Sequence, residues 1–246
     1  MGLLAGIVFL AFLVEAAAGF GSMVVAMTMG ALWFPVPQLL GWLVPVNLVL
    51  SVYLVLRGRS SLDWGFFLKR MLPVMALGLV GGTVIAGRAA QAAWLKPAFG
   101  VFVVGVAAWQ LTRGRREGAP LSQGTRALAL LGAGVLHGVY ATGGPLAVFV
   151  SARELKDKAA FRATLSALWV VLNLLVLPRL VVQGEVTEKT LGTSALMLGP
   201  LALGILAGEW IHHRLDEGRF RVAVSALLLL AGGVLAAGSL TEALPR

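Results

Sequence analysis

The chain contains an internal duplication, and both copies are strongly apolar. Asn47 and Asn173 stand 126 residues apart, and Gly21 aligns with Gly143 at a spacing of 122. Matched hydrophobic units that glycine interrupts at matching places are typical of membrane proteins built from two structural repeats. The duplication therefore favours architectures in which one helical unit occurs twice. The other pairs at the spacing of 126 are Gly58 and Gly184, Gly78 and Gly204, Gly82 and Gly208, and Arg88 and Arg214.

Long uncharged runs indicate that the duplicated unit lies in a bilayer. Charged residues make up 13% of the chain and hydrophobic residues 59%, whereas an average soluble domain has roughly 25% charged residues. Several runs reach the ~20 residues that a membrane-spanning helix needs. We predict an all-α integral membrane protein that contacts the lipid bilayer. The runs without Asp, Glu, Lys, Arg or His are 16–56, 71–87, 97–112, 163–178, 190–208 and 222–241.

Each copy contains five apolar segments, of which the first two are short. Segment 144–152 cannot cross about 30 Å of hydrocarbon as a helix that rises about 1.5 Å per residue, so we expect broken or re-entrant helices at the start of each repeat. The predicted organisation is a first membrane repeat at 1–112, a cytoplasmic linker at 113–125 and a second membrane repeat at 126–246. The ten segments are 2–18, 22–34, 38–56, 68–87 and 92–112, then 126–141, 144–152, 162–182, 190–211 and 220–240.

The basic residues predict how the chain is oriented. A net charge of +9 would suit a nucleic-acid partner in a soluble chain, but here the charge lies in short loops, so we expect no nucleic acid. Basic loops at 57–70, 113–126 and 153–162 are predicted to be cytoplasmic. Equivalent loops of the two copies then face opposite sides, which defines inverted repeats. Both termini are predicted outside, and residues 1–14 are expected to be the first membrane segment rather than a removed signal.

Each copy is broken by glycine next to a hydroxyl residue. Glycine lets the backbone leave helical dihedrals, and Pro145 fits the first turn of a new helix. A helix N-terminus opened in this way favours an anion, and the hydroxyls of Ser22 and Thr142 add donors. The alternative is that these glycines only let helices pack closely. The two breaks read Gly19-Phe20-Gly21-Ser22 and Ala141-Thr142-Gly143-Gly144-Pro145.

With these two breaks, the duplication and a short basic loop between the halves, the chain resembles the sulfite exporter TauE/SafE family of bacterial membrane proteins over nearly its whole length. The resemblance implies transport of sulfite, sulfonates or related organic acid anions across the cytoplasmic membrane, and we expect export. Phe20 and Ser22 stand where the family usually has a denser glycine cluster, so the particular substrate stays open. We expect the anion at mid-membrane between the breaks, bound by Gly21, Ser22, Thr142, Gly143 and Gly144.

Two ionisable residues occupy equivalent places six residues before the breaks. Glu15 aligns with His137, and ionisable groups inside membrane segments usually mark a pathway or face a partner. A protonated Glu15 is neutral and compatible with an anionic substrate, and histidine changes charge near neutral pH. Both are therefore candidates for proton coupling. The alternative is that each is a satisfied structural group or lies in the wet headgroup region.

The paired amides allow two interpretations. Asn47 and Asn173 lie in apolar segments and could donate to substrate oxygens, so both are candidate substrate ligands. They could equally bridge helices, which is the commoner use of such residues in membranes. Gln38, Tyr140 and Trp169 could line the same cavity, although Tyr and Trp are also ordinary interface anchors.

Three functional classes remain for the chain. The first is a secondary transporter working by alternating access around the breaks, and the second is a passive anion channel of the same fold. The third is an intramembrane serine hydrolase with Ser22 as nucleophile and His137 as base, but nothing in that chemistry requires a duplication, so we predict that the protein is not an enzyme. With no cysteine, sulfur-ligated metals are excluded, and we predict neither metal nor cofactor. The oligomeric state stays open, and a homo-oligomer is one of the states allowed.

Overall fold

The computed structural model describes residues 1–18, 21–89, 94–113, 121–155, 157–212 and 217–242. Within these ranges the chain forms helices joined by short turns and contains no strand, so the predicted all-α fold is confirmed. The α-helices are α1 Gly2–Ala18, α2 Ser22–Gly30, α3 Val36–Gly58, α4 Trp64–Phe66, α5 Leu72–Ala89, α6 Leu95–Arg113, α7 Gln123–Tyr140, α8 Gly144–Glu154, α9 Lys158–Val182, α10 Glu188–His212 and α11 Glu217–Glu242.

The predicted segments correspond to these helices in order. Most boundaries differ by up to four residues, and two of the differences have a visible cause. Segment 22–34 ends as a helix at Gly30, since residues 31–34 form a turn before Pro35. Segment 68–87 begins earlier, because α4 continues through the π-helical turn Phe67–Met71 into α5. A π-turn inserts one extra residue into a helix and so adjusts the direction of its side chains.

Four helical stretches in the described part of the chain are long and apolar enough to cross a membrane. They are Val36–Ser61, Trp64–Arg88, Ala159–Val182 and Glu188–Trp210. Shorter apolar helices occur at Gly2–Ala16, Leu95–Trp109 and Val224–Ala237. Large apolar side chains such as Leu77 and Leu196 are exposed on the spanning helices, as expected for surfaces that lipid covers.

Side chains cap the helices that start in loops. Ser122 accepts a hydrogen bond from the Thr125 N–H at the start of α7, and Asp157 accepts one from the Ala160 N–H at the start of α9. Such caps satisfy N–H groups that the helix itself leaves unpaired. The N-cap residues of α2 and α8 are Gly21 and Gly143, and neither supplies a side-chain cap. The two helices that start at the predicted breaks are therefore built differently.

The chain divides into two compact units, and each unit takes helices from both halves of the sequence. One comprises Met1–Leu39, Ala89–Arg116 and Gly192–Arg246, and the other Leu40–Arg88 and Glu117–Leu191. The first contains α1, α2, α6, α11 and most of α10, and the second contains most of α3 together with α4, α5, α7, α8 and α9. These are packing units, so the predicted repeat boundaries at 112 and 126 stay predictions about the sequence duplication.

In the second unit α5 packs closely on α7 through glycines, and we call this contact a glycine seam. A Cβ added to Gly78 would overlap the carbonyl oxygen of Leu131, and one added to Gly82 would overlap that of Val135. Small residues four apart let two membrane helices approach until their backbones touch. Helix α5 of the first copy therefore packs on α7 of the second copy.

The first unit contains the same seam with the copies exchanged. A Cβ on Gly204 of α10 would lie 2.5 Å from the Phe9 carbonyl oxygen, and one on Gly208 would lie 2.5 Å from that of Leu13. The two glycines follow their counterparts by 126 residues, and Phe9 and Leu13 precede theirs by 122. These are the spacings of the duplication. The structure thus repeats the contact as well as the sequence, which supports two equivalent copies that exchange partners.

Candidate functional site

The second break is a tight connection between α7 and α8. The Ala141 N–H donates to the His137 carbonyl oxygen at 2.8 Å and Ala141 adopts the left-handed conformation with φ 54°, which ends α7. A left-handed alanine costs roughly 1–2 kcal/mol, so surrounding contacts must hold it there. A Cβ on Gly143 would overlap the Ala133 carbonyl oxygen and lie 3.1 Å from the His137 Cβ. Only glycine fits at this position.

Two buried polar atoms at this break lack a partner in the described structure. They are Thr142 Oγ1 and His137 Nδ1, in residues that are 1% and 2% exposed. Buried polar atoms are paired in nearly all native structures, so these two atoms are places where a water molecule, an ion or a ligand can bind. Thr142 directly precedes the uncapped start of α8, and the His137 Cβ adjoins Gly143. The break therefore combines an uncapped helix N-terminus with two unsatisfied side chains.

The other face of His137 is held in place by α9. The imidazole stacks on Trp169, with ring centroids 5.5 Å apart and planes 9° from parallel. Its Nε2 lies 3.2 Å from Asn173 Oδ1. Stacking and a hydrogen bond together fix both the plane and the rotation of the ring. His137 is consequently a positioned group and not a mobile one.

A chain of hydrogen bonds through side-chain amides connects His137 to α3, and we call it the relay. Asn173 Nδ2 donates to Asn47 Oδ1 at 2.9 Å, and the Ser51 hydroxyl donates to the same oxygen at 3.5 Å. Because the Asn173 amide nitrogen faces Asn47, its oxygen faces the imidazole and can only accept. In this orientation of the Asn173 amide, His137 Nε2 carries the hydrogen. In neutral His137 the unpaired Nδ1 is then an acceptor without a hydrogen.

The first break is built around a carboxylate. Glu15 Oε2 accepts a hydrogen bond of 3.1 Å from the Ser22 N–H at the start of α2. Gly21 turns the chain there with φ 107°, a left-handed conformation that glycine adopts without strain. Ser22 is 1% exposed, and its Oγ has no partner in the described structure. Residues 19 and 20 of the predicted break lie outside the described residues.

The sequence-predicted site residues fall into two groups, one in each compact unit. Gly21, Ser22 and Glu15 lie together at the first break. Thr142, Gly143 and Gly144 form the second break, to which His137, Asn173 and Asn47 are joined by the relay. The structure brings the two asparagines into direct contact with each other. Their role as substrate ligands stays a prediction, as does that of the break residues.

Sequence reasoning missed two hydroxyl residues of the second unit. Ser51 bonds Asn47, and Thr83 of α5 has a buried Oγ1 without a partner in the described structure. Thr83 lies beside Gly138, whose added Cβ would be 2.8 Å from the Thr83 N–H nitrogen. The available signal was its position directly after Gly82, one of the glycines that the duplication pairs. The described residues contain no cluster of three His, Cys, Asp or Glu side chains able to hold a metal ion.

The fold is that of an α-helical membrane protein. The family model of the sulfite exporter TauE/SafE matches residues 4–235, and the chain belongs to this family. It is similar to the "Probable inner membrane transporter protein TsaS" of Comamonas testosteroni, with 25% identity over 163 residues that cover 66% of this chain and 68% of that protein. No solved structure gives a significant match.

Proposed function

We propose that the protein is a multi-pass secondary transporter of the cytoplasmic membrane that exports small sulfur-containing or organic anions such as sulfite or sulfonates. The observation that supports this function best is the second break, where an uncapped helix start adjoins buried Thr142 Oγ1 and His137 Nδ1, both without a partner in the described structure. A substrate that satisfies these groups must bring acceptors for the hydroxyl and backbone N–H groups. The family membership and the inner-membrane relative point the same way.

The first turn of α8 suits an oxyanion. Its unpaired backbone N–H groups and the positive end of the helix dipole favour negative charge, and Pro145 removes only an N–H that the helix cannot use. A Cβ on Gly144 would meet nothing within 4 Å, so open space lies beside this turn. Neutral donors bind an anion less tightly than a full positive charge would. Moderate affinity suits a carrier, which must also release its substrate.

Proton coupling follows from the tautomer of His137. The bare Nδ1 of the neutral ring would repel a neighbouring anion, whereas a proton on Nδ1 converts the same atom into a charged donor. Anion and proton therefore bind best together, and by linkage each raises the affinity for the other. We expect binding to strengthen as pH falls. Such co-transport leads to export wherever the outward gradient of the anion exceeds the inward gradient of protons.

The deep burial of the break supports alternating access. Thr142, Gly143 and His137 are all buried, so an anion can reach these groups only if the surrounding helices rearrange. A passive channel would instead need a continuous open path. The hydrolase alternative needs a base within hydrogen-bond reach of Ser22 Oγ, and no described residue bonds that atom. Transport is the function that accounts for the duplicated architecture.

Flux into proteoliposomes tests the proposal. Purified protein would first be screened by thermal shift against sulfite, thiosulfate, sulfoacetate, taurine and small carboxylates. The best ligand should then accumulate against its own gradient when an inward proton gradient is imposed. Flux that only dissipates the anion gradient would indicate a channel instead.

A matched pair of variants ties the flux to the site. Thr142→Val removes the unpaired hydroxyl and should lower affinity by ~1.5–3 kcal/mol, or about ten- to a hundred-fold. Thr112→Val is the control, because Thr112 is exposed and its hydroxyl bonds the Ala108 carbonyl oxygen of its own helix. Equal affinity in both variants would place the site elsewhere.

A further inference from the structure

The start of α2 already has an anionic ligand, which the protein itself supplies. Glu15 lies on the last turn of α1, and its Oε2 accepts the Ser22 N–H at 3.1 Å. Gly21 contributes no side-chain cap, so this carboxylate takes the place at the helix start where an external oxyanion would sit. The negative charge at the start of α2 is therefore supplied by the protein itself.

The second independent observation is Ser22 itself. Its side chain is 1% exposed, and its Oγ is buried without a partner in the described structure, at the first residue of α2. The carboxylate therefore satisfies the backbone N–H and leaves the adjacent hydroxyl unused. An oxyanion with three oxygens could satisfy both donors at once, which one tethered carboxylate oxygen does not do.

The second break differs from the first in the residue at the aligned position. His137 aligns with Glu15, but its ring is turned to Asn173 and stacked on Trp169. The start of α8 consequently has no tethered carboxylate from the aligned position. The two breaks share a backbone design and differ in the group that stands six residues before the aligned glycine.

We infer that the Glu15 carboxylate is a tethered competitor at the start of α2, which an incoming small oxyanion displaces when Glu15 takes up a proton. This rests on the proposed anion transport. A protonated carboxyl is a weaker acceptor for the Ser22 N–H and no longer repels an anion. Anion binding at this break and proton uptake by Glu15 therefore favour each other.

The helices that contact α1 and α2 carry further ionisable residues. The elements that contact α1 and α2 are α6, α10 and α11. The ionisable residues of these helices whose side chains the structure describes are Lys96 of α6, which is half-buried, and Glu188, Lys189 and Glu209 of α10, which are exposed. Glu15 is the residue whose carboxylate contacts the Ser22 N–H at this break.

The test uses methanesulfonate as the probe, because a sulfonate keeps one negative charge between pH 5 and 8. Its affinity for the purified full-length protein would be measured by calorimetry across that range. The His137→Gln background removes titration of the imidazole. In this background affinity should rise about tenfold or more from pH 8 to pH 5. With Glu15→Gln added, affinity should be high at pH 8 and nearly independent of pH, since the amide can still accept the Ser22 N–H without the charge.

Two results would overturn the tethered competitor. Unchanged or weaker binding in Glu15→Gln at pH 8 would make Glu15 a plain cap or a direct ligand. If Glu15→Gln does not fold, the test is whether the His137→Gln protein takes up protons when methanesulfonate is added. The absence of proton uptake would contradict the inference. Binding that depends on Thr142 but is indifferent to Glu15 would leave the proposed transport intact, whereas no binding to the wild type or to any variant would count against both.

Discussion

Asn173 donates a hydrogen bond of 2.9 Å to Asn47, so two residues that the duplication aligns also contact each other. The pair therefore lies where α3 and α9, the helices that carry the two aligned residues, contact each other. From this point the relay reaches His137 through Asn173 alone, because only one of two identical amides can turn its oxygen toward the ring.

Loss of the central amide should affect both stability and pH response. Asn173→Leu leaves His137 Nε2 and Asn47 Oδ1 without their partners, and we expect a loss of ~1–3 kcal/mol in the free energy of unfolding. Ser51→Ala is the control, since its bond to Asn47 is long at 3.5 Å. Thermal denaturation in detergent measures the first effect. The pH profile of transport should also shift in Asn173→Leu, and an unshifted profile would contradict the role of the relay in fixing the tautomer.

The exchanged glycine seams should be equally intolerant of a side chain. Gly78→Val and Gly204→Val each place a side chain against a backbone carbonyl of the partner helix, so folded protein should be largely lost. Gly81→Val and Gly199→Val lie on the same two helices, where an added Cβ meets nothing within 4 Å. These controls should stay near the wild type in yield and in monodispersity on size exclusion. Tolerance of valine at either seam would mean that its two helices can separate.

Substitution of the two adjacent glycines in the second break should affect folding in one case and anion binding in the other. Gly143→Ala should lower the melting temperature clearly, because its Cβ would overlap the Ala133 carbonyl oxygen. Gly144→Ala has open space and ordinary backbone angles, so it should fold normally and weaken anion binding several-fold by occupying that space. Melting curves and methanesulfonate affinity distinguish the two. Normal affinity in a folded Gly144→Ala would remove the start of α8 from the site.

A charge cluster at the far end of α8 should contribute unequally through its two arginines. Glu154 lies 3.0 Å from Arg126 Nη1 and 3.4 Å from Arg70 Nη1, and the side chains of Arg126 and Arg70 are 19% and 55% exposed. Exposed ion pairs are worth about 0–1 kcal/mol, and partly buried ones lose less to the solvent. Arg126→Ala should therefore lower the melting temperature more than Arg70→Ala. Equal effects, or effects that high salt abolishes equally, would show that burial does not matter here.

The orientation of the chain in the membrane can be measured with single introduced cysteines, because the natural sequence contains no cysteine. Placed one at a time at Ser60, Ser122 and Ser239, they should react with an impermeant thiol reagent in intact cells only at Ser239. The reason is the distribution of Lys and Arg among the short loops. Labelling after membrane permeabilisation controls for accessibility. Reaction at Ser122 from outside would contradict the inverted arrangement of the repeats.

Much of the fold followed from local properties of the sequence. The length of each apolar run determines whether a helix can form and cross a bilayer, so the order of the helices and the short α2 and α8 were predictable. Glycine beside a hydroxyl residue likewise located both breaks. Such signals need only neighbours along the chain. They extend to the pairing of Asn47 with Asn173 as equivalent positions, but not to their contact.

Tertiary structure alone decided which groups meet. Helix packing across the copies depends on rotations and distances that hydropathy does not encode, so the seam of α5 on α7 could not be read from its glycines. The aligned Glu15 and His137 looked alike as candidates for protonation. One turned to the start of α2 and the other to Asn173, because a hydrogen bond forms only where a donor and an acceptor arrive at the right distance and angle. That geometry exists only once the helices have packed.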